Sequence, residues 1–96
     1  MLRIVTLLLA LCLTLPALAG PFEDGRAAHQ RGDYATALRF LRPLAEQGEA
    51  RAQTTLGFMY ENGQGVPQDH VQAVVWYRKS AEQGHAAAQF NLGLIT

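Results

Sequence analysis

Residues 45–60 read Ala-Glu-Gln-Gly-Glu-Ala-Arg-Ala-Gln-Thr-Thr-Leu-Gly-Phe-Met-Tyr, and residues 81–96 read Ala-Glu-Gln-Gly-His-Ala-Ala-Ala-Gln-Phe-Asn-Leu-Gly-Leu-Ile-Thr. Nine of these sixteen positions are identical at an offset of 36 residues. A fixed period of this size is typical of proteins built from stacked repeats, because one repeat alone cannot bury its apolar face. The stretch therefore predicts an elongated array of similar structural units.

The first 19 residues have the pattern of a secretory signal peptide. Arg3 and the N-terminal amine are positive, residues 4–15 are almost wholly apolar, and Ala17 and Ala19 are the small residues that precede a cleavage site. The alternative is a membrane anchor, but a run of about a dozen apolar residues is shorter than the roughly 20 that a spanning helix needs. We therefore expect cleavage after Ala19 and export, either to the bacterial periplasm or to the outside of the cell.

Cleavage would also decide the composition of the mature chain. The single cysteine, Cys12, lies in the segment that is removed, so disulfides could not stabilise the rest. The whole chain has eight basic and eight acidic residues, and removal of Arg3 leaves a net charge near −1. This balance, with no basic stripe, predicts no nucleic-acid partner and no membrane anchor after cleavage.

Apolar residues after Gly20 recur at helical spacing, and no segment alternates as a strand would. We predict helices over residues 22–30, 34–47, 50–62, 70–83 and 85–95. Pro43 lies inside the second helix and predicts a kink there; the alternative is a helix that ends at Arg42 and restarts.

The second and fourth predicted helices are copies of each other. Asp33 and Asp69 stand at their N-caps, and Phe40 and Trp76 lie equally far into them. We therefore expect an all-α fold, a short α-solenoid of antiparallel helix pairs, in a single domain over residues 20–96. Its predicted units are residues 22–48, 49–84 and a partial unit, 85–96.

A longer pattern in the middle of the chain points to a family. It reads Ala52-x-x-x-Leu56-Gly57-x-x-Tyr60-x-x-Gly63-x-Gly65-Val66-x-x-Asp69-x-x-x-Ala73-x-x-Trp76-x-x-x-Ser80-Ala81-x-x-Gly84. This pattern resembles the Sel-one-like repeat, a relative of the tetratricopeptide repeat with a longer loop between its two helices. The first unit lacks the Gly-x-Gly-Val loop and fits the shorter tetratricopeptide spacing. The resemblance implies a right-handed superhelix whose first helices line a concave, partner-binding face.

The same resemblance assigns candidate partner-binding residues to that concave face. They are Arg26, His29, Gln30, Arg51, Thr54, Phe58, Glu61 and Asn62, and Phe90 and Leu94 would continue the line into the third unit. Phe58 is the aromatic residue that lies off the apolar stripe of its helix. Mixed charges, amides and an aromatic ring suit a peptide-binding groove, and the alternative is a face that is merely solvated.

No residue pattern in the sequence indicates a reaction. His29, His70 and His85 have no histidine three or four residues away, so we expect solvent-facing or capping histidines and no metal site. Ser80 lacks a base at recognisable spacing and is expected to pack between helices. The Gly63-Gln64-Gly65 segment has no preceding strand, which argues against a phosphate site. We expect no catalytic residue and no cofactor.

These observations favour an exported adaptor that binds an unidentified protein or peptide and is not an enzyme. One alternative is a small exported hydrolase of the β-lactamase-like kind, since some cysteine-rich members of the family have been linked to that chemistry. Another is a structural oligomer, because the last predicted helix has no second-helix partner to cover its apolar side chains. That self-association would use Phe90, Leu92, Leu94 and Ile95. The last helix could also be a cap, or the chain a fragment of a longer array.

Overall fold

The computed structural model describes residues 19–96. The predicted signal peptide lies almost wholly outside these residues and stays a prediction. The described part of the chain contains five α-helices and no strand. They are α1 (Pro21–Gln30), α2 (Tyr34–Glu46), α3 (Ala50–Asn62), α4 (His70–Ala81) and α5 (Ala86–Ile95). The prediction of an all-α solenoid is thereby confirmed.

Aspartate begins the second helix of each full unit, as predicted. The Asp33 carboxylate accepts from the Thr36 N–H at 3.3 Å, and the Asp69 carboxylate accepts from the Gln72 N–H at 3.1 Å. Each carboxylate satisfies a first-turn N–H that has no partner inside the helix. The hydrogen bonds from Thr36 hold the pKa of Asp33 below its usual value.

The proline inside α2 does not divide the helix. α2 continues through Pro43 to Glu46, so the alternative of two helices that separate at Arg42 is wrong. The other predicted boundaries hold to within one or two residues. At the start of α5, His85 is the N-cap rather than the first helical residue.

The helices pack in chain order, α1 on α2 and α3 on α4 within units, and α2 on α3 and α4 on α5 between units. Alanines are buried at these crossings, where their small side chains let the helices approach each other. Larger apolar side chains fill the remaining space of the core. The main cluster of buried apolar residues consists of Ala28, Ala37, Leu41, Ala45, Ala52, Leu56, Met59 and Trp76, and Ala73, Tyr77 and Ala88 are buried as well.

Equivalent glycines set the closest crossing in both full units. A Cβ on Gly25 would lie 2.7 Å from Leu41 Cγ, and a Cβ on Gly57 would lie 2.7 Å from Tyr77 Cδ1. Leu41 and Tyr77 are 36 residues apart, yet the two glycines are only 32 apart. The connection between α3 and α4 is longer than that between α1 and α2 by these four residues. The longer loop therefore leaves the equivalent glycine contact in place.

The longer loop of the second unit packs on the first unit. Gly65 adopts a φ of 74°, and a Cβ there would lie 2.9 Å from Tyr34 Cβ and 3.0 Å from Leu38 Cδ1. Glycine suits this position because it tolerates positive φ and because it has no Cβ to collide with α2. The loop thus connects two units as well as two helices.

Candidate partner-binding groove

A groove of about 470 Å³ runs along one side of the solenoid. Its walls come mainly from α1 and α3, the first helices of the two full units, and from the start of α5. The lining residues are Phe22, Arg26, His29, Gln30, Arg51, Thr54, Thr55, Phe58, His85, Ala87 and Asn91. Side chains from three successive units therefore meet in a single concave surface.

Six of the eight residues that the sequence assigned to the partner-binding face line this groove. They are Arg26, His29, Gln30, Arg51, Thr54 and Phe58. The other two lie outside it, at the C-terminal end of α3. The Glu61 carboxylate accepts from the Tyr77 hydroxyl at 2.6 Å, and the Asn62 amide donates to the Phe58 carbonyl at 2.9 Å. Both side chains therefore support the helices locally.

Sequence reasoning missed five lining residues, and the repeat period could have found one of them. Ala87 lies 36 residues after Arg51, so the period brings it to the same face of the next first helix. Phe90 and Leu94, which were expected to continue the face, do not line the groove. They are 67% and 70% exposed. The remaining missed residues are Phe22, Thr55, His85 and Asn91.

An arginine stacked on a phenylalanine joins the first two units at one wall of the groove. The Arg51 guanidinium carbon lies 4.0 Å from the centre of the Phe22 ring, close enough for a cation–π contact. Its nitrogens contact the Glu49 carboxylate at 2.7 Å and the Glu23 carboxylate at 3.6 Å. Burial alone would raise the pKa of Glu49, but the hydrogen bonds from Arg51 outweigh burial, and this pKa lies below its usual value.

A chain of hydrogen bonds supports the floor of the groove. Thr54 Oγ1 lies 2.8 Å from Ser80 Oγ and 3.0 Å from His85 Nδ1, and Ser80 donates to the Ala50 carbonyl at 2.8 Å. Ser80 has no exposed surface, as its predicted packing role requires. Its hydroxyl is therefore out of reach of a substrate, and the chain of bonds serves to fix Thr54 and His85 in place.

His29 is not the solvent-facing or capping residue that the sequence suggested. Its ring is half-buried, and Nε2 lies 2.8 Å from the Gln64 side-chain oxygen. The ring also lies 5.9 Å from that of Phe58, edge to face, and 5.5 Å from that of Tyr34. The loop of the second unit brings Gln64 to this position, so the first unit by itself contains no sign of the contact.

Residues 19–96 contain neither a metal-binding cluster nor a membrane-spanning helix. No three His, Cys, Asp or Glu side chains are grouped closely enough in this part of the chain to hold a metal ion. None of the five described helices has the length and apolar character needed to cross a membrane.

Helix hairpins that stack at a fixed period and line a groove with their first helices define a helical-repeat protein of the tetratricopeptide-like class. The model of one family, described as the Sel1 repeat, matches residues 18–49, 50–85 and 86–95. The chain therefore belongs to the Sel1 repeat family, and Sel1 repeats typically mediate protein interactions. Comparisons with curated proteins and with solved structures returned no match.

Proposed function

We propose that this protein is an exported, non-catalytic adaptor that binds a segment of a protein partner in the groove. The observation that carries the proposal is the groove itself, where first helices of successive repeats bring aromatic, amide and cationic side chains together. Membership of a family whose repeats mediate interactions supports the same function. Export rests on the signal-peptide pattern of residues 1–19.

The composition of the groove suits protein recognition. Phe58 lines the groove and is 40% exposed, and Phe22 and Arg51 form one wall. Aromatic and arginine side chains supply a large share of binding energy at protein interfaces because they bury much surface and retain specific polar contacts. The bonds that hold His29 and Thr54 reduce the ordering that a partner must impose.

Binding through the groove can be tested by affinity capture from the source cells with the purified chain. Phe58→Ala and Arg51→Glu should each reduce recovery of the partner. Val71→Ala is the matched control, since Val71 is 72% exposed on α4 and does not line the groove. Circular dichroism would verify that all three variants remain helical. Unchanged recovery with both groove variants would refute the assignment.

Export requires a separate test. The full-length gene, with a C-terminal tag, should yield a product whose N-terminus is Gly20 and which fractionates with exported proteins. Ala19→Arg should block cleavage, because signal peptidase requires a small residue at that position. A cytoplasmic product that retains Met1 would contradict export and leave the groove unaffected.

A second function, self-association, is favoured by the exposed side of α5. Phe90 and Leu94 are 67% and 70% exposed, while Leu92 and Ile95 are only half-buried. Neighbouring exposed apolar side chains favour association, since pairing removes their surface from water. We propose that a second copy covers them. Sedimentation over a concentration series should show a dimer that Leu94→Asp dissociates, and a monomer at every concentration would exclude this function.

A further inference from the structure

We propose that the partner segment bound by the groove is acidic and carries at least one large apolar side chain. This inference rests on the proposed function and adds the chemical class of the ligand. It follows from the charges, the hydrogen-bond donors and the aromatic rings of the lining residues.

The groove is positive although the chain as a whole is balanced. The full sequence has eight basic and eight acidic residues, yet the lining residues include two arginines and no carboxylate. A concave surface with one sign of charge attracts ligands of the opposite sign and raises their rate of association. A basic segment would meet repulsion from Arg26 in the same place.

The two arginines differ in how far their charge is already neutralised. Within residues 19–96, Arg26 has no carboxylate within 4.0 Å, and it is exposed. Arg51 is bound closely by Glu49, but its contact with Glu23 is 3.6 Å long and both side chains are about half exposed. A ligand carboxylate can therefore pair with Arg26 and take the place of Glu23 at Arg51.

Hydrogen bonds fix the groove lining near His85. The Thr54 hydroxyl donates to the Ala50 carbonyl at 2.9 Å and lies 3.0 Å from His85 Nδ1. The amides of Gln30 and Asn91 add neutral donors along the groove.

The apolar part of the ligand would contact the phenylalanines. Phe58 is 40% exposed, and the His29 ring contacts it edge to face at 5.9 Å. Phe22 lies under Arg51, so its face is already in use. Phe58 is therefore the apolar anchor, and the acidic residues of the segment should flank the side chain that packs on it.

The test is selection from a random displayed peptide library on the full chain, followed by fluorescence anisotropy with individual selected peptides. The pool should be enriched in Asp and Glu beside an aromatic or aliphatic residue. Arg26→Glu should weaken these peptides by roughly five- to tenfold, since it replaces an attraction with a repulsion. Affinity should also fall as salt is raised from about 0.15 M to about 0.5 M, because salt screens exposed charges.

Arg78→Glu is the charge-matched control, because it makes the same charge change on α4, outside the groove. It should alter peptide affinity less than about twofold, since salt screens an exposed charge that is distant from the bound peptide. Arg26→Gln provides a milder variant if Arg26→Glu loses helical content. Neutral or basic peptides whose binding requires Phe58 would overturn the acidic preference and leave the groove function intact. Peptides that bind to Phe58→Ala and to Arg26→Glu as tightly as to the wild-type protein would overturn both the acidic preference and the groove function. Equal losses in Arg26→Glu and Arg78→Glu would overturn a specific site.

Discussion

Replacement of Gly57 by alanine places a methyl group between α3 and α4, where the structure leaves no room for it. The new Cβ would lie 2.7 Å from Tyr77 Cδ1, 2.8 Å from Tyr77 Cε1 and 3.2 Å from the Ala73 carbonyl oxygen. The Tyr77 ring cannot easily move away, because it is fully buried and its hydroxyl is bound to Glu61. The two helices must therefore separate or tilt.

Two opposing effects set the size of the change. Overpacking of a well-packed core costs about 1–3 kcal/mol, and two contacts below 3.0 Å place this site at the upper end. Alanine in place of glycine inside a helix stabilises that helix by about 1 kcal/mol. We expect Gly57→Ala to lower the free energy of unfolding by about 2 kcal/mol, a large part of the roughly 3–5 kcal/mol typical of a domain this small.

The repeat provides a matched control in Gly93, which lies 36 residues after Gly57 and where a methyl group would meet no atom within 4 Å. Gly93→Ala should stabilise the protein by up to about 1 kcal/mol, since only the helix-forming tendency changes. Thermal unfolding followed by circular dichroism should show the midpoint of Gly57→Ala lowered by about 8–16 °C. A Gly57→Ala protein as stable as wild type would refute the close crossing. Equal destabilisation by Gly93→Ala would show that steric contact with Tyr77 does not explain the effect of Gly57→Ala.

Three further predictions concern polar groups and are measured by urea unfolding. Tyr77→Phe should cost about 1.5–3 kcal/mol, since it removes a partly buried hydrogen bond to the Glu61 carboxylate. Burial raises the pKa of Tyr77, and the neighbouring Glu61 raises it further, so the folded state favours the protonated phenol. The stability of the wild-type protein should therefore decline above pH 10.0, and the stability of Tyr77→Phe should decline less steeply. Glu49 has a lowered pKa, so its pairing with Arg51 stabilises the folded protein above pH 4.5, and this stabilisation is lost as the pH falls. The loss in acid is at most about 1 kcal/mol for an exposed pair, and Glu49→Gln should reduce it. Asp69→Ala should cost about 1 kcal/mol by removing the cap of α4, whereas Asp69→Asn should retain most of it.

The helices could be predicted from the sequence because their signals are local. Asp33 and Asp69 mark helix starts through bonds that reach only three residues along the chain, and such bonds depend on little else. Pro43 shows where local signals become ambiguous, since proline is compatible with a continued helix or a break. In the structure the helix continues through Pro43 to Glu46.

The groove could be predicted in part, because the repeat period transfers positions from one unit to the next. Arg51 predicts Ala87 in this way, whereas Thr54 and Phe58 predict Phe90 and Leu94, which do not line the groove. Contacts between units carry no such signal. The bond between His29 and Gln64 joins residues 35 apart and depends on how the loop folds back, which sequence spacing cannot state.

The glycine loop of the second unit folds back over the first unit, so the support that it provides runs in one direction along the solenoid. Gly65 lies against Tyr34 and Leu38 of α2, and Gln64 binds His29 of α1, so the loop holds both helices of the unit before it. The first unit has no such loop of its own and is held by the loop of the second unit. Amide hydrogens of α1 and α2 should therefore exchange faster once the loop is cut or lengthened, ahead of those in the unit to which the loop belongs.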